Sequence, residues 1–195
     1  MAFDADFWNE RYENGQTGWD IGYPSTPIKE FIDSLTDRST RILIPGAGNA
    51  YEAEYLHSKG FENVSVLDIS ERAIELFKNR VPSFPKDHLF LGDFFNHEGA
   101  HDLILEQTFF CALPPDMRPR YAKKMRDLLA KGGKLAGVMF NFPLTEDGPP
   151  FGGSEEEYGT YFKPNFAAVN IKPCLNSIEP RQGSEYWVEL SAPIK

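Results

Sequence analysis

Four short stretches of this chain carry residue types that can do chemistry, and each follows a run of apolar residues. The first is Pro45-Gly46-Ala47-Gly48-Asn49-Ala50-Tyr51, a G-x-G turn. Glycines there let the main chain come close to a ligand. Tyr51 holds the third place, where a dinucleotide site has a glycine for close helix–strand packing. Taken alone, the turn reads equally well as a plain strand-to-helix connection. Asp68 closes the second run, 20 residues after Gly48. A carboxylate at that place can accept from both hydroxyls of a ribose, or can cap a helix. Asp93 closes the third run, in Leu91-Gly92-Asp93-Phe94. It can accept from the amino group of an adenine while Phe94 packs on the ring, or it can be an ordinary turn residue. Gln107 closes the fourth run, directly after Glu106.

These residues need a frame that brings the ends of their runs to one rim. Strands are expected at 41–45, 64–67, 89–91, 103–105 and 134–140. Helices are expected at 50–59, 71–80 and 115–129, with Gly60, Pro82 and Gly132-Gly133 as stops. Alternating strands and helices imply right-handed βαβ units and a mostly parallel sheet. Ligands bind such sheets beyond the carboxyl ends of the strands, where the strand order switches. Two late strands, near 168–171 and 186–190, have no helix between them and are expected as an antiparallel edge. The loop 148–153 and a helix from Ser154 precede them. The fold class read from this pattern is α/β: a Rossmann-like, doubly wound, mostly parallel seven-stranded sheet with an antiparallel C-terminal edge strand. Before the first strand, Phe3, Phe7, Trp8, Tyr12, Trp19 and Tyr23 are broken up by glycines and prolines. That pattern predicts a short helix over 5–12, then an ordered, aromatic-lined loop.

The text FWNERYENGQTGWDIGYPSTP at 7–27, RILIPGAGNAYEAEYL at 41–56, VLDIS at 66–70, LGDFF at 91–95, LILEQTFFCALPPDMRP at 103–119, LLAKGGKL at 128–135 and GPPF at 148–151 resembles the thiopurine S-methyltransferase family. Within that family it is most similar to the thiol and halide methyltransferases. The W-x3-Y-x6-W opening and the FFCALPP-x-MRP run carry the resemblance more than the glycine turn does. It implies one class I methyltransferase domain over 1–195, with an aromatic lid at 1–30. A core at 41–140 would bind S-adenosylmethionine, and 141–195 would supply an acceptor loop and the last strands. By this resemblance Trp8, Tyr12 and Trp19 close over cofactor and acceptor, and Gly46 and Gly48 lie against the cofactor's amino-acid part. Asp68 holds the ribose with Ile69 beside the adenine, Asp93 and Phe94 hold the adenine, and Gln107 sits near the reacting centre. The chain departs from the family in having Ala47 for a usual cysteine and Gln107 for a tyrosine or arginine, which bears on acceptor choice.

The residues themselves are compatible with those roles. Aromatic faces attract a sulfonium cation by about 0.5–2 kcal/mol. Trp8 and Tyr12 are i, i+4 neighbours on one helical face, and Trp19 follows in a glycine-hinged segment suited to a lid. The same aromatics could also simply cover the sheet edge. Methyl transfer is an in-line displacement that needs alignment and desolvation but no metal and no enzyme nucleophile. Soft anions and thiols need no catalytic base; Asp20 and Glu106 are the nearest acids should one exist. A thiopurine, another thiol, bisulfide, thiocyanate or a halide would each fit as acceptor. A nicotinamide-dependent reductase is disfavoured by Tyr51, and a non-catalytic S-adenosylmethionine-binding module by the aromatic opening.

Other signals are weaker. His97-x3-His101 has ligand spacing, but Gly99 interrupts it. Cys111 reads as core, and the basic stretch Arg118, Arg120, Lys123, Lys124 reads as a solvated face. The net charge of −9 opposes nucleic acid. Two cysteines cannot form a disulfide framework, so a reducing cytoplasm is expected. The acidic opening lacks the apolar segment of a secretory signal, and no run is long enough to span a bilayer. A monomer acting on a small molecule suffices.

Overall fold

Ile42–Pro45 (β1) is buried along its whole length, as a central parallel strand must be. Around it the computed structural model, which describes residues 3–192, builds a seven-stranded sheet in the order β3-β2-β1-β4-β5-β7-β6. Val64–Asp68 (β2), Leu89–Leu91 (β3), His101–Gln107 (β4) and Leu129–Phe140 (β5) run parallel to β1. Glu185–Ser191 (β7) is antiparallel to both of its neighbours, β5 and Ala168–Pro173 (β6). The two late strands thus pair antiparallel as expected, with the C-terminal one lying inside β6. The extreme termini of the segments assigned to 1–30 and 141–195 lie outside the described residues.

Strand side chains alternate between faces, and the core divides accordingly. Ile42, Ile44, Val66, Leu105 and Val138 pack with Ile28, Ala53, Leu56 and Phe77 on one side. Leu43, Leu67, Ile104 and Met139 pack with Tyr121, Met125, Tyr158 and Phe162 on the other. Helices Thr26–Ser34 (α2), Tyr51–Ser58 (α3) and Glu71–Arg80 (α4) cover the first face. Arg118–Leu128 (α5) and Glu155–Phe162 (α6) cover the second. The chain builds β1, β2 and β3 outward in one direction and resumes with β4 on the other side of β1. The switch point therefore lies between the carboxyl ends of β1 and β4, where the glycine turn and Gln107 emerge.

Three local expectations are corrected. The segment after residue 23 is not all loop, because α2 starts there. Pro27 sits in its first turn, where a missing N–H costs nothing, and Ile28 and Ile32 are buried one turn apart. Helix α5 stops at Leu128, and β5 starts at Leu129 rather than Lys134, with its register against β4 shifting between His101 and Leu103. Gly132-Gly133 therefore lies within a strand. Arg118 is not part of a solvated face. It is fully buried, ion-paired with Glu157 Oε1 at 2.6 Å, and its Nη2 donates to Gly152 O at 2.8 Å. Its guanidinium lies 4.7 Å from the Phe110 ring centre. Arg118 thereby pins the loop before α6 to the start of α5.

Removing one partner of such a buried pair leaves polar groups uncompensated. Arg118→Met is expected to lower unfolding stability by about 3 kcal/mol. Chemical denaturation measures that loss, and faster proteolytic cleavage within 141–153 should accompany it.

Candidate active site

The glycine turn after β1 is shaped by its neighbours. Gly46 and Gly48 have φ of +57° and +55°, a region that suits glycine. A Cβ on Gly46 would meet the Phe109 ring at 2.1 Å, and one on Gly48 would meet Tyr12 Oη at 2.9 Å. Ala50 also has a positive φ, and α3 begins after it without a side-chain cap.

Asp68 ends β2 and is buried. Its Oδ2 accepts from Gly48 N at 2.7 Å and its Oδ1 from Ser70 N at 2.8 Å. Burial raises its carboxyl above the usual range, and these N–H groups pull the other way. Asp68 does not cap α4; Ser70 does, accepting from Ala73 N. Asp93 accepts from Phe95 N at 2.8 Å and opens a short 3-10 turn, so the turn role is present. Phe94 is buried against Phe95, Phe109 and Tyr121. Gln107 accepts from Ser25 Oγ at 2.7 Å, which is why Ser25 forgoes a capping bond to α2.

Above this rim lies the first helix, Ala5–Glu13 (α1), capped by Asp4. Asn9 Oδ1 accepts from Ser70 Oγ at 2.7 Å and Arg72 N at 3.2 Å, docking α1 on the start of α4. Trp19 packs edge-on against Trp8 and Tyr12, with ring centres 5.4 and 5.8 Å apart. Burial and the nearby Asp68 push the Tyr12 phenol far up. Asn49 Nδ2 donates to Asp20, which also accepts from Gly22 N at 2.8 Å. Arg181 Nη2 donates to Trp19 O at 2.9 Å. The segment 15–25 is thus a strap fastened to both sides of the rim.

Strap, α1 and rim enclose a cavity of about 890 Å³. Trp8, Tyr12, Trp19, Gly46, Gly48, Asp68, Ile69, Asp93, Phe94 and Gln107 all line it. The volume lies toward the upper end for small-molecule sites. Sequence reasoning missed three of its features. Glu52, in the first turn of α3, is a buried wall residue whose carboxyl is pushed up to about 7 by desolvation, with Asp20 adding to the shift. Backbone N–H groups of Glu52 and Ser25 and the Arg181 charge oppose it. Arg181 is buried, and its Nη1 has no hydrogen-bond partner. Thr108 follows Gln107 with φ +59°, an outlier for a β-branched residue that costs about 1–3 kcal/mol. The Thr-Phe-Phe order after a strand gave no hint of it.

The two acids that the sequence offered as nearest candidate bases are engaged. Glu106 is fully buried and accepts from Phe109 N, Phe110 N and the Tyr121 hydroxyl; burial pushes it up to about 7. Asp20 holds Asn49 and Gly22. Cys111 lines the cavity, and burial holds it as a thiol donating to Thr108 O. His97 and His101 stack at 5.9 Å, away from the cavity lining. No cluster of three or more His, Cys, Asp or Glu side chains able to hold a metal occurs among the described residues, and no described helix is long and apolar enough to cross a membrane.

Glu52 has a pH consequence. Its folded value of about 7 exceeds the ordinary 4.5, so its stabilising contribution is full below about pH 4.5 and is lost as pH rises through 7. Glu52→Gln cannot titrate. Thermal unfolding across that window should show the variant gaining on the parent as pH rises.

Comparison with known proteins agrees with this geometry. Residues 3–184 match the thiopurine S-methyltransferase (TPMT) family model. The chain is 36% identical over 184 residues to a probable thiol methyltransferase 2 of Arabidopsis thaliana, covering 91% of this chain and 81% of the relative. It is 34% identical to thiocyanate methyltransferase 1 of Brassica oleracea, with the same coverage. Its fold is similar to that of the 1,6-didemethyltoxoflavin-N1-methyltransferase of Burkholderia thailandensis, solved with S-adenosylhomocysteine. The TM-score is 0.73 at 17% identity over 96% of this chain and 86% of the other. A switch-point cavity on a mostly parallel seven-stranded sheet, with a family match over nearly its whole length, makes this chain a methyltransferase belonging to the thiopurine S-methyltransferase family.

Proposed function

We propose that the cavity binds S-adenosylmethionine and a small soft anion, and that the methyl group passes directly between them. Thiolates, bisulfide, thiocyanate and halides form the acceptor class, and the chain acts as a monomer without nucleic acid or membrane partners. The observation that carries the acceptor reading is a buried cation in the cavity wall with an amide donor in the same lining. Arg181 brings a buried guanidinium, with Glu185 Oε1 3.6 Å from its Nη1. Gln107 has its carbonyl committed to Ser25, which leaves its amide N–H groups for a ligand. The local acids Asp20 and Glu106 are taken up by other donors. A site of this kind suits a nucleophile that arrives already ionised.

The cofactor reading rests on the rim. Asp68 gives each oxygen one backbone N–H, which leaves acceptor capacity for ribose hydroxyls. Gly46 and Gly48 keep the turn bare of side chains, and Asp93 with Phe94 stands at the adenine end. When bound, S-adenosylmethionine supplies a methyl group activated by its sulfonium. Trp8, Tyr12 and Trp19 offer aromatic faces to that cation. The strap excludes water and so raises the reactivity of an anion held by Arg181. No residue need take the acceptor's proton, since a thiol with pKa near 8.5 ionises readily.

The test is methyl transfer from labelled S-adenosylmethionine to bisulfide, thiocyanate, iodide, thiophenol and a thiopurine. Transfer is expected to at least one. For thiols the rate should rise with pH as the acceptor ionises. No transfer to any of them would overturn the acceptor class. Asp68→Asn should weaken S-adenosylhomocysteine binding by about tenfold or more, the loss of a hydrogen bond to a charged group, read by calorimetry.

A further inference from the structure

Arg181 stands between the large cavity and a buried carboxylate. It ends a 3-10 turn, Glu179–Arg181, and lines the large cavity. Beside it Glu106, Thr108, Cys111, Phe140 and Glu185 bound a small gap with no room for a water. Glu185 opens β7 and is 2% exposed; its Oε1 is 3.6 Å from Arg181 Nη1, too far for a hydrogen bond. The register pairs Glu185 with Phe140, whose ring lies 5.7 Å from the guanidinium. One buried cation therefore lines the cavity while its Nη1 faces a buried carboxylate.

Resting on the reading of this cavity as the acceptor site, we propose that Glu185 is a positioning residue that sets the charge available at Arg181, and that an anion binding beside Arg181 is taken up together with a proton on Glu185. In a low-dielectric site an ionised Glu185 repels the incoming anion and competes for the same guanidinium. Protonating Glu185 from solvent as the anion enters keeps the net charge of the pair and its ligand unchanged.

The other groups facing the pair favour this exchange. From β4, the buried Glu106 adds no cation. From the turn after it, Cys111 is held neutral. From α3, Glu52 is raised toward neutrality, and from the strap Asp20 adds negative charge beside it. Burial lifts the Glu185 carboxyl above its ordinary value, while the Arg181 charge pulls it down; an anion drawing on that charge lets the carboxyl rise further.

Thiocyanate is the probe, because it stays anionic across the working pH range and brings no titration of its own. Its binding is measured calorimetrically, with excess S-adenosylhomocysteine, in two buffers of different ionisation enthalpy. About one proton should be taken up per anion on the alkaline side, and affinity should fall as pH rises. Glu185→Gln should abolish the uptake, match the parent in acid, and bind about tenfold more tightly on the alkaline side. Glu185→Asp should restore the pH dependence. Unchanged S-adenosylhomocysteine affinity shows that each variant is folded. Uptake that persists in the Gln variant overturns the proposal, as does thiocyanate binding without uptake in the parent. Failure of thiocyanate to bind while a thiol is still methylated overturns it too, and leaves the methyltransfer reading standing. Uptake without methylation of any acceptor supports it while refuting that acceptor class.

Discussion

A carboxylate buried at the end of a strand must find hydrogen-bond donors, and at Asp68 it finds them in two other elements. Gly48 N comes from the turn after β1, and Ser70 N from the start of α4. Charge-assisted bonds of this kind are stronger than neutral ones. The rest of the rim follows from them. Ser70 Oγ, fixed at the α4 cap, donates to Asn9 and so places α1. With α1 in place, Trp8 and Tyr12 face Trp19, and Tyr12 Oη stands where a side chain on position 48 would be. One desolvated acid thus sets the glycine turn, the first helix and the aromatic cover.

The carboxyl end of β4 uses the same device one crossing away. Glu106 collects Phe109 N and Phe110 N in one oxygen and the Tyr121 hydroxyl in the other. Those bonds offset the cost of the positive φ at Thr108 and throw Phe109 against Gly46. The two acids differ in what they leave for a ligand. Asp68 lines the cavity, whereas Glu106 is sealed behind it. Proximity to Gln107 in sequence therefore says little about a role for Glu106 in chemistry, because a strand turns adjacent side chains to opposite faces.

The layered fold was legible because its signals are local and periodic. Glu71–Arg80 and Leu89–Leu91 fall where the Ser70 cap and the short apolar run put them. The glycine turn, Asp68, Asp93 and Gln107 were found together because strand ends in a parallel sheet converge on one rim. What escaped notice depended on tertiary context. Ser-Thr-Pro at 25–27 looks like loop punctuation until a sheet is there to bury Ile28 and Ile32. Arg118 looks solvated beside Arg120 and Lys123 until the loop carbonyls and Glu157 surround it. Glu52 and Arg181 have no periodic signature. They are charged residues that the fold buries, and only the assembled cavity gives them a reason.

The strap joins the two halves of the cavity. Backbone bonds tie its start to α1, and beyond them its contacts are side-specific. Asp20 reaches Asn49 on the glycine-turn side, while Trp19 O and Ser25 Oγ reach Arg181 and Gln107 on the opposite side. Each bond contributes on the order of 1 kcal/mol, so none alone holds the strap. The two walls are tied through one short segment whose carboxylate, carbonyl and hydroxyl are committed to opposite sides.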